Sequence, residues 1–255
     1  TVHAGFQKLG QEELGFDVET AQHYGTALAI LAGDLQQGWA ASLLPDLYTQ
    51  HGLPPELALN LIRELFLKTQ MALINGETLD VLQARTPVEQ LNEKAVLDML
   101  RQKTGSLYEF AGRAGAAIGL RQPDLHHPMV ESIAIFAAKC GLAFQIQDDI
   151  LGITGNEEKL GKPIGSDIRE GKRTIILLHS LPNMELAQQE FTLNVLGSQD
   201  ATPSDIQEVI SLLKSTGGIA YAEELANTII KEALLNLKKL PKSPYKTFLE
   251  AWVSF

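Results

Sequence analysis

Apolar residues recur along this chain at the spacing of an α-helix. Two stripes illustrate it: Leu57, Leu61, Leu65 and Ala72, and Leu225, Ile229, Ala233 and Leu237. Residues three or four apart share one face of a helix, so each stripe predicts an amphipathic helix with a buried side. Runs that alternate between apolar and polar residues, as in strands, are scarce. The pattern therefore predicts an all-α protein.

Several helices can be delimited from sequence signals. Long helices are predicted over 22–44, 98–120 and 131–151, and a shorter one over 203–216. Pro54-Pro55 suits a helix start, because proline is tolerated in the first turn. Thr86, with Glu89 three residues later, has the spacing of a capping box and predicts another start. Residues 174–178 are the best strand candidate. No repeat or low-complexity linker is visible, so a single helical domain is predicted over 1–255.

Composition narrows the function classes. The chain has 255 residues, 45% of them hydrophobic, and a formal net charge of -10. An acidic chain without a basic excess does not fit a nucleic-acid-binding protein. The single cysteine, Cys140, cannot form a disulfide within the chain, which fits a reducing, cytoplasmic compartment. The most apolar run, 133–146, contains Lys139 and is too short for a bilayer, so no transmembrane segment is expected.

Candidate chemistry is concentrated after the helix predicted at 131–151. Asp148 and Asp149 stand at the end of this apolar helix, and glycine-rich loops with Lys162 and Lys172 follow. Carboxylates bind Mg²⁺ and lysines bind phosphate oxygens, so the combination suits Mg²⁺ that holds a polyphosphate. Two adjacent aspartates alone would favour a simple cap of a solvated helix end. The lysines favour the binding site.

The order of these motifs resembles one protein family. The shared elements are Gln145-x-x-Asp148-Asp149, Gly161-Lys162-Pro163, Gly165-Ser166-Asp167 and Gly171-Lys172-Arg173-Thr174. They resemble the second aspartate-rich region of the trans-isoprenyl diphosphate synthases, or polyprenyl synthetases, of the farnesyl and geranylgeranyl type. Similar residues occur at Thr1-Val2-His3, Ala32-Gly33-Asp34, Gly76-Glu77 with Asp80, and Lys103-Thr104. The resemblance extends over at least residues 1–181.

The resemblance implies an antiparallel helical bundle around a central cavity. It implies Mg²⁺-dependent, head-to-tail condensation of an allylic diphosphate with isopentenyl diphosphate, in a cytoplasmic homodimer. The implied roles are diphosphate binding by Lys103, Lys162 and Lys172, metal binding by Asp148 directly and Asp149 through water, and catalysis by Lys103, Thr104 and Gln145. The oxygens of Thr104 and Gln145 would stabilise a developing allylic cation through fixed dipoles.

Two departures from the family pattern leave alternatives open. Gly152 stands where the family usually has a third aspartate. The family's first aspartate-rich motif would precede Thr1, so we expect the sequence to lack the N-terminal helices of a longer chain. A non-catalytic partner subunit of a related synthase is an alternative, as is a class I terpene cyclase. Asp34, Glu77 and Asp80 interrupt apolar helices and are expected to be structural acids with hydrogen-bond partners.

Overall fold

The structure is a computed structural model that describes residues 2–155 and 163–253. It contains two compact units, residues 1–62 and residues 63–255. Every regular element among the described residues is a helix, which confirms the predicted all-α fold class. The single domain predicted over 1–255 stays a prediction.

The first unit consists of a helical hairpin and most of a third helix. Its elements are α1 (Val2–Glu12), α2 (Val18–Thr49) and the greater part of α3 (Pro55–Glu64). Asp17 caps α2, because its side chain accepts a hydrogen bond from the Thr20 amide at 2.9 Å. Helix α2 is longer than the predicted 22–44. Asp34 lies exposed on α2, and its expected role as a structural acid with a hydrogen-bond partner stays a prediction.

The second unit holds the remaining elements. The α-helices are α4 (Gln70–Gln83), α5 (Glu93–Leu100), α6 (Ser106–Leu120), α7 (Pro128–Thr154), α8 (Ser166–Arg169), α9 (Ile175–Ser180), α10 (Leu186–Val195), α11 (Pro203–Ser215), α12 (Gly218–Leu237) and α13 (Pro244–Trp252). Two π-helical segments, Leu65–Thr69 and Arg101–Gly105, precede α4 and α6. Short 3₁₀ turns lie at Val88–Gln90 and Leu181–Asn183.

Helix α7 forms the centre of the second unit. It packs against α6 and against α12, and Phe136, Cys140, Ile146 and Ile150 on it are buried. Among the described residues, α7 is the one helix that is long and apolar enough to cross a membrane. Half of its most apolar 18-residue stretch, however, is buried inside the protein. The core helix of a globular unit meets the same criterion, because it is apolar on several faces.

Of the helices predicted in the second unit, 203–216 matches α11 and 131–151 lies within α7, whereas 98–120 spans the end of α5, a π-helical segment and α6. Pro203 begins α11 with Thr202 as its cap, and Gly217, at φ +83°, separates α11 from α12. The stripe on α12 faces the core, where Ala233 and Leu237 are fully buried. The spacing of the apolar residues predicts these buried positions, because residues on one face of a helix all lie against the same surroundings.

Two local predictions are wrong. Residues 174–178 are not a strand, since α9 begins at Ile175 and the Thr174 hydroxyl caps it by accepting from the Leu177 amide at 3.3 Å. Thr86 does not cap a helix, because its hydroxyl donates to the Leu82 carbonyl. The next α-helix begins at Glu93, where the Asn92 side chain accepts from the Ala95 amide.

Candidate active site

One pocket in the second unit collects predicted functional residues from three separate segments of the chain. Lys103 comes from the π-helical segment before α6, Gln145 and Asp149 from α7, and Lys172 from the loop before α9; all four line the pocket. Its other polar lining residues are Asp80, Gln83, Arg173 and Thr174. The fold therefore brings together residues that the sequence motifs had singled out separately.

Lys103 is presented by an irregular piece of helix. The segment Arg101–Gly105 has π-helical turns, which often occur at functional sites. Gly76 of α4 lies against it so closely that a Cβ on Gly76 would be 2.2 Å from the Lys103 backbone nitrogen. Only glycine permits this approach of two backbones. The position of Lys103 and Thr104 thus depends on a glycine in another helix.

The Lys103 ammonium group is held by two carboxylates of α4. Its Nζ lies 2.7 Å from Asp80 Oδ2 and 3.4 Å from Glu77 Oε2. Burial by itself would lower the pKa of Lys103, but the hydrogen bond and charge of Asp80, together with Glu77, outweigh it and the pKa is raised. Lys103 is therefore charged at neutral pH, and its ammonium group is held in place by Asp80 and Glu77.

Thr104 and Gln145 form a direct contact between the π segment and α7. The Thr104 hydroxyl donates a hydrogen bond to Gln145 Oε1 at 2.9 Å. The resemblance pairs these two residues, and the structure places them together. Their implied catalytic role stays a prediction.

The two aspartates at the end of α7 have different environments. Asp149 is 6% exposed, whereas Asp148 is half-buried. Burial raises the pKa of Asp149 to about 7, with further contributions from the negative charges of Asp167 and Asp148; Lys172 partly offsets them. Asp149 is thus a buried carboxyl group with a raised pKa, close to other acids. A bound cation would stabilise its ionised form.

Lys172 forms the second cationic side of the pocket. Its Nζ lies 2.7 Å from Asp167 Oδ1 and 3.4 Å from Glu170 Oε2. Burial alone would lower the pKa of Lys172, but the hydrogen bond and charge of Asp167 reverse the shift and raise it. Lys162, the third predicted diphosphate ligand, lies outside the described residues.

The protein side chains do not form a complete metal site by themselves. Within residues 2–155 and 163–253, no three His, Cys, Asp or Glu side chains are arranged to hold a metal ion. Mg²⁺ usually takes one or two protein carboxylates and fills its other positions with water and substrate phosphates. The Asp148-Asp149 pair suits that mode, in which the diphosphate supplies part of the ligand set.

Two residues that line this pocket, Asp80 and Arg173, have no predicted binding role. Asp80 is expected to be a structural acid with a hydrogen-bond partner; that partner is Lys103, and Asp80 also lines the pocket. Arg173 had no assigned role; its guanidinium group lines the pocket and donates to the Gly171 carbonyl at 2.8 Å. Asp167, which in the sequence belongs only to the Gly165-Ser166-Asp167 motif, lines a separate small cavity and binds Lys172. Glu77 and Asp80 are three residues apart, so they lie on one face of α4. In the sequence, this spacing indicates that both can bind the same partner.

Most of the chain is similar to proteins that are already known. A sequence model of the polyprenyl synthetase family matches residues 18–213. A short chain isoprenyl diphosphate synthase from Methanocaldococcus jannaschii is 35% identical over 203 residues, which cover 78% of this chain and 57% of that protein. The chain spans 57% to 63% of the length of the first three curated relatives that it matches.

Solved structures share the fold. A geranylgeranyl pyrophosphate synthetase from Pyrococcus horikoshii has 31% identity and a TM-score of 0.78, and the match covers 100% of this chain and 73% of that one. A polyprenyl synthase from Caulobacter crescentus, solved with calcium and isoprenyl diphosphate, has 25% identity and a TM-score of 0.78. That match covers 92% of this chain and 67% of the other.

Proposed function

Because this chain belongs to the polyprenyl synthetase family, we propose that it carries out Mg²⁺-dependent prenyl transfer. An allylic diphosphate is joined head-to-tail to isopentenyl diphosphate, and the product is a linear polyprenyl diphosphate. The observation that carries the proposal is the single pocket lined by Lys103, Gln145, Asp149 and Lys172. The lysines of this pocket can bind a diphosphate, and its acid can bind a metal. The side-chain amide of Gln145 can face the reacting carbons.

The lysines bind the diphosphate of the allylic substrate. Lys103 and Lys172 are kept charged by Asp80 and Asp167, and each ammonium group has three donors, so it can also bind phosphate oxygens. Lys162 is the third lysine assigned to this role by the resemblance. Charge-assisted hydrogen bonds of this kind are stronger than neutral ones. An acidic chain thereby concentrates positive charge where the anionic substrate binds.

The carboxylates at the end of α7 hold the metal. Asp148 is proposed as the direct ligand, and Asp149 as a partner through water. Bound Mg²⁺ would neutralise the diphosphate and stabilise it as a leaving group. The Caulobacter crescentus relative, with calcium and isoprenyl diphosphate together, supports divalent cation binding at this kind of site.

Thr104 and Gln145 face the carbon that loses the diphosphate. When the carbon–oxygen bond breaks, the bonding electron pair leaves with the diphosphate and positive charge develops on the allylic carbons. The Thr104–Gln145 hydrogen bond fixes both side chains, so their oxygen dipoles are oriented before the charge develops. The double bond of isopentenyl diphosphate then attacks, and a proton is lost from the new product.

The test is incorporation of labelled isopentenyl diphosphate into linear diphosphates by the full-length protein, with Mg²⁺ and a short allylic diphosphate as acceptor. We expect Asp148→Ala to abolish incorporation and Asp200→Ala, a change at an exposed loop acid, to leave it unchanged. Near-normal incorporation by Asp148→Ala would contradict the proposal. Cyclic hydrocarbon products would favour a terpene cyclase instead. Turnover that appears only when a related synthase is added would favour a partner subunit.

A further inference from the structure

Arg173 lies in the loop before α9, next to Lys172, and its side chain joins two backbone segments. Its Nη1 donates a hydrogen bond to the Gly171 carbonyl at 2.8 Å, and its Nε donates to the Thr86 carbonyl at 3.3 Å. Gly171 belongs to the same loop, whereas Thr86 follows the C-terminal end of α4. The half-buried guanidinium group thereby connects the loop that carries Lys172 to the helix that carries Asp80.

The backbone of this loop also packs closely against the segment that follows α4. A Cβ on Gly171 would lie 3.4 Å from the Ala84 carbonyl oxygen and 3.3 Å from the Cα of Gly197. Gly171 has φ +75°, a left-handed conformation that glycine adopts without strain. The loop therefore lies next to the end of α4 through its backbone as well as through the side chain of Arg173.

Both hydrogen bonds of Arg173 go to backbone carbonyls, so the direction of its donors matters as well as its charge. Burial lowers the pKa of Arg173, and the charge of Glu89 offsets this effect only in part. A guanidinium group is a planar fork whose separate nitrogen atoms can bind two carbonyls at once. A lysine at this position would keep the charge, but it presents its donors from a single nitrogen atom. Lysine therefore cannot reproduce the two bonds.

The two lysines of the pocket are held by different elements. Asp80 and Glu77 of α4 hold Lys103, whereas Asp167 of α8 holds Lys172. A diphosphate that binds both ammonium groups requires a fixed separation between them, because each charge-assisted hydrogen bond depends on distance and direction. The loop of Lys172 must therefore keep a fixed position relative to α4.

We propose that Arg173 is a positioning residue. It fastens the loop to the end of α4, and so it sets the separation between Lys103 and Lys172 that the diphosphate requires. This inference rests on the proposed function, since it concerns the diphosphate of the same site. The competing explanation is that Arg173, which also lines the pocket, binds the diphosphate directly as a further cation.

Binding of inorganic pyrophosphate with Mg²⁺, measured by calorimetry on the full-length protein, tests the proposal without turnover. We expect Arg173→Met to raise the dissociation constant of pyrophosphate about tenfold, the lower end of the cost of losing one charge-assisted hydrogen bond. Arg173→Lys, which keeps the charge but not both bonds, should bind no better than Arg173→Met. Arg85→Met is the control, because Arg85 is an exposed arginine beside Thr86. Its dissociation constant should stay within about twofold of the wild-type value.

A double-mutant cycle separates positioning from direct binding. If Arg173 acts through Lys172, Arg173→Met should weaken pyrophosphate binding less than about twofold when it is added to Lys172→Met. If Arg173 binds the diphosphate itself, the two losses multiply, and that result would overturn the inference. Wild-type affinity of Arg173→Lys, or an Arg173→Met affinity within about twofold of wild type, would also overturn it.

Two further measurements keep the outcome clear. Urea unfolding shows whether each variant is folded, and Arg173→Gln, which keeps one donor, replaces Arg173→Met in the cycle should that variant not fold. If Lys172→Met loses pyrophosphate affinity while the cycle is additive, the proposed function stands and the positioning role fails. A wild-type protein that binds no pyrophosphate removes both.

Discussion

The Cα of Gly76 lies against the backbone of Lys103, with room for a hydrogen atom but not for a methyl group. The Cβ of an alanine at position 76 would be 2.2 Å from the Lys103 amide nitrogen and 2.7 Å from the Gln102 carbonyl carbon. Both obstacles are backbone atoms, so no side-chain rotation relieves them. The π-helical segment that carries Lys103 and Thr104 is thereby fixed to α4.

We expect Gly76→Ala to destabilise the protein by about 1–3 kcal/mol, the usual cost of overpacking a core. Prenyl transfer should fall more than stability accounts for, because the segment that carries Lys103 and Thr104 must move. The control is Gly115→Ala on α6, where an added Cβ meets nothing within 4 Å. That change should stabilise the protein by about 0.5–1 kcal/mol. Urea unfolding and the incorporation assay measure both effects; equal stability of the two variants would contradict the steric argument.

The Thr104–Gln145 hydrogen bond allows a second prediction. Thr104→Val keeps the shape of the side chain but removes the hydroxyl that donates to Gln145 at 2.9 Å. If the pair stabilises the developing cation, kcat should fall about 10- to 100-fold, somewhat less than the loss of an oxyanion-hole donor. KM for the allylic diphosphate should change little. Because the two residues act as a unit, Thr104→Val and Gln145→Leu should be non-additive in the double variant. Additive losses would mean that they act independently.

Lys172 should contribute mainly to substrate binding. Replacing it with methionine removes one charge-assisted hydrogen bond, worth about 1.5–3 kcal/mol, so KM for the allylic diphosphate should rise about 10- to 100-fold. Lys139→Met is the matched control, because Lys139 pairs with Glu232 at 2.6 Å on the surface of α7 and α12. Its KM should equal that of the wild type. Steady-state kinetics with varied allylic diphosphate distinguishes the two variants, and an unchanged KM for Lys172→Met would exclude diphosphate binding by Lys172.

The residues of the site were predictable where a motif fixes both residue type and order. Lys103, Gln145, Asp149 and Lys172 were named from the sequence, and the structure places all four in one pocket. The position of Asp167 beside Gly152 was not predictable, because it depends on the turn that joins Gly165 to Gly152. A sequence motif records that an aspartate is present, but the path of a loop decides which residue it faces.

The errors in secondary structure have a physical cause. Residues 174–178 contain β-branched side chains, which favour strands when the neighbouring residues allow it. Here the Thr174 hydroxyl caps a helix, and Ile175, Ile176 and Leu177 are all buried. Burial by the surrounding helices and the cap together outweigh a weak local preference. The π-helical segments were also not predicted, because each spans only five residues, too few to establish a hydrophobic period of its own.

Arg113 and Glu131 give a pH-dependent contribution to stability in the second unit. Arg113 is buried, and its guanidinium group lies 2.5 Å from Glu131, 2.6 Å from Glu109 and 3.5 Å from Glu64. The hydrogen bond from Arg113 lowers the pKa of Glu131 below its ordinary value of 4.5, although burial opposes the shift. In the unfolded chain Glu131 regains its ordinary pKa and binds a proton more readily. The folded state is therefore favoured above that value, and this stabilisation is lost as the pH falls through the lowered pKa.

Glu131→Gln should consequently destabilise the protein more at about pH 6 than at about pH 3. Glutamine cannot lose a proton, so it removes the linkage while it keeps the size of the side chain. Urea unfolding over this range gives the difference in the free energy of unfolding between the variant and the wild type. Glu190→Gln, at an exposed site on α10, is the control and should give a small, constant difference. A Glu131→Gln difference that does not shrink as the pH falls would mean that the Arg113 hydrogen bond does not perturb the ionisation of Glu131.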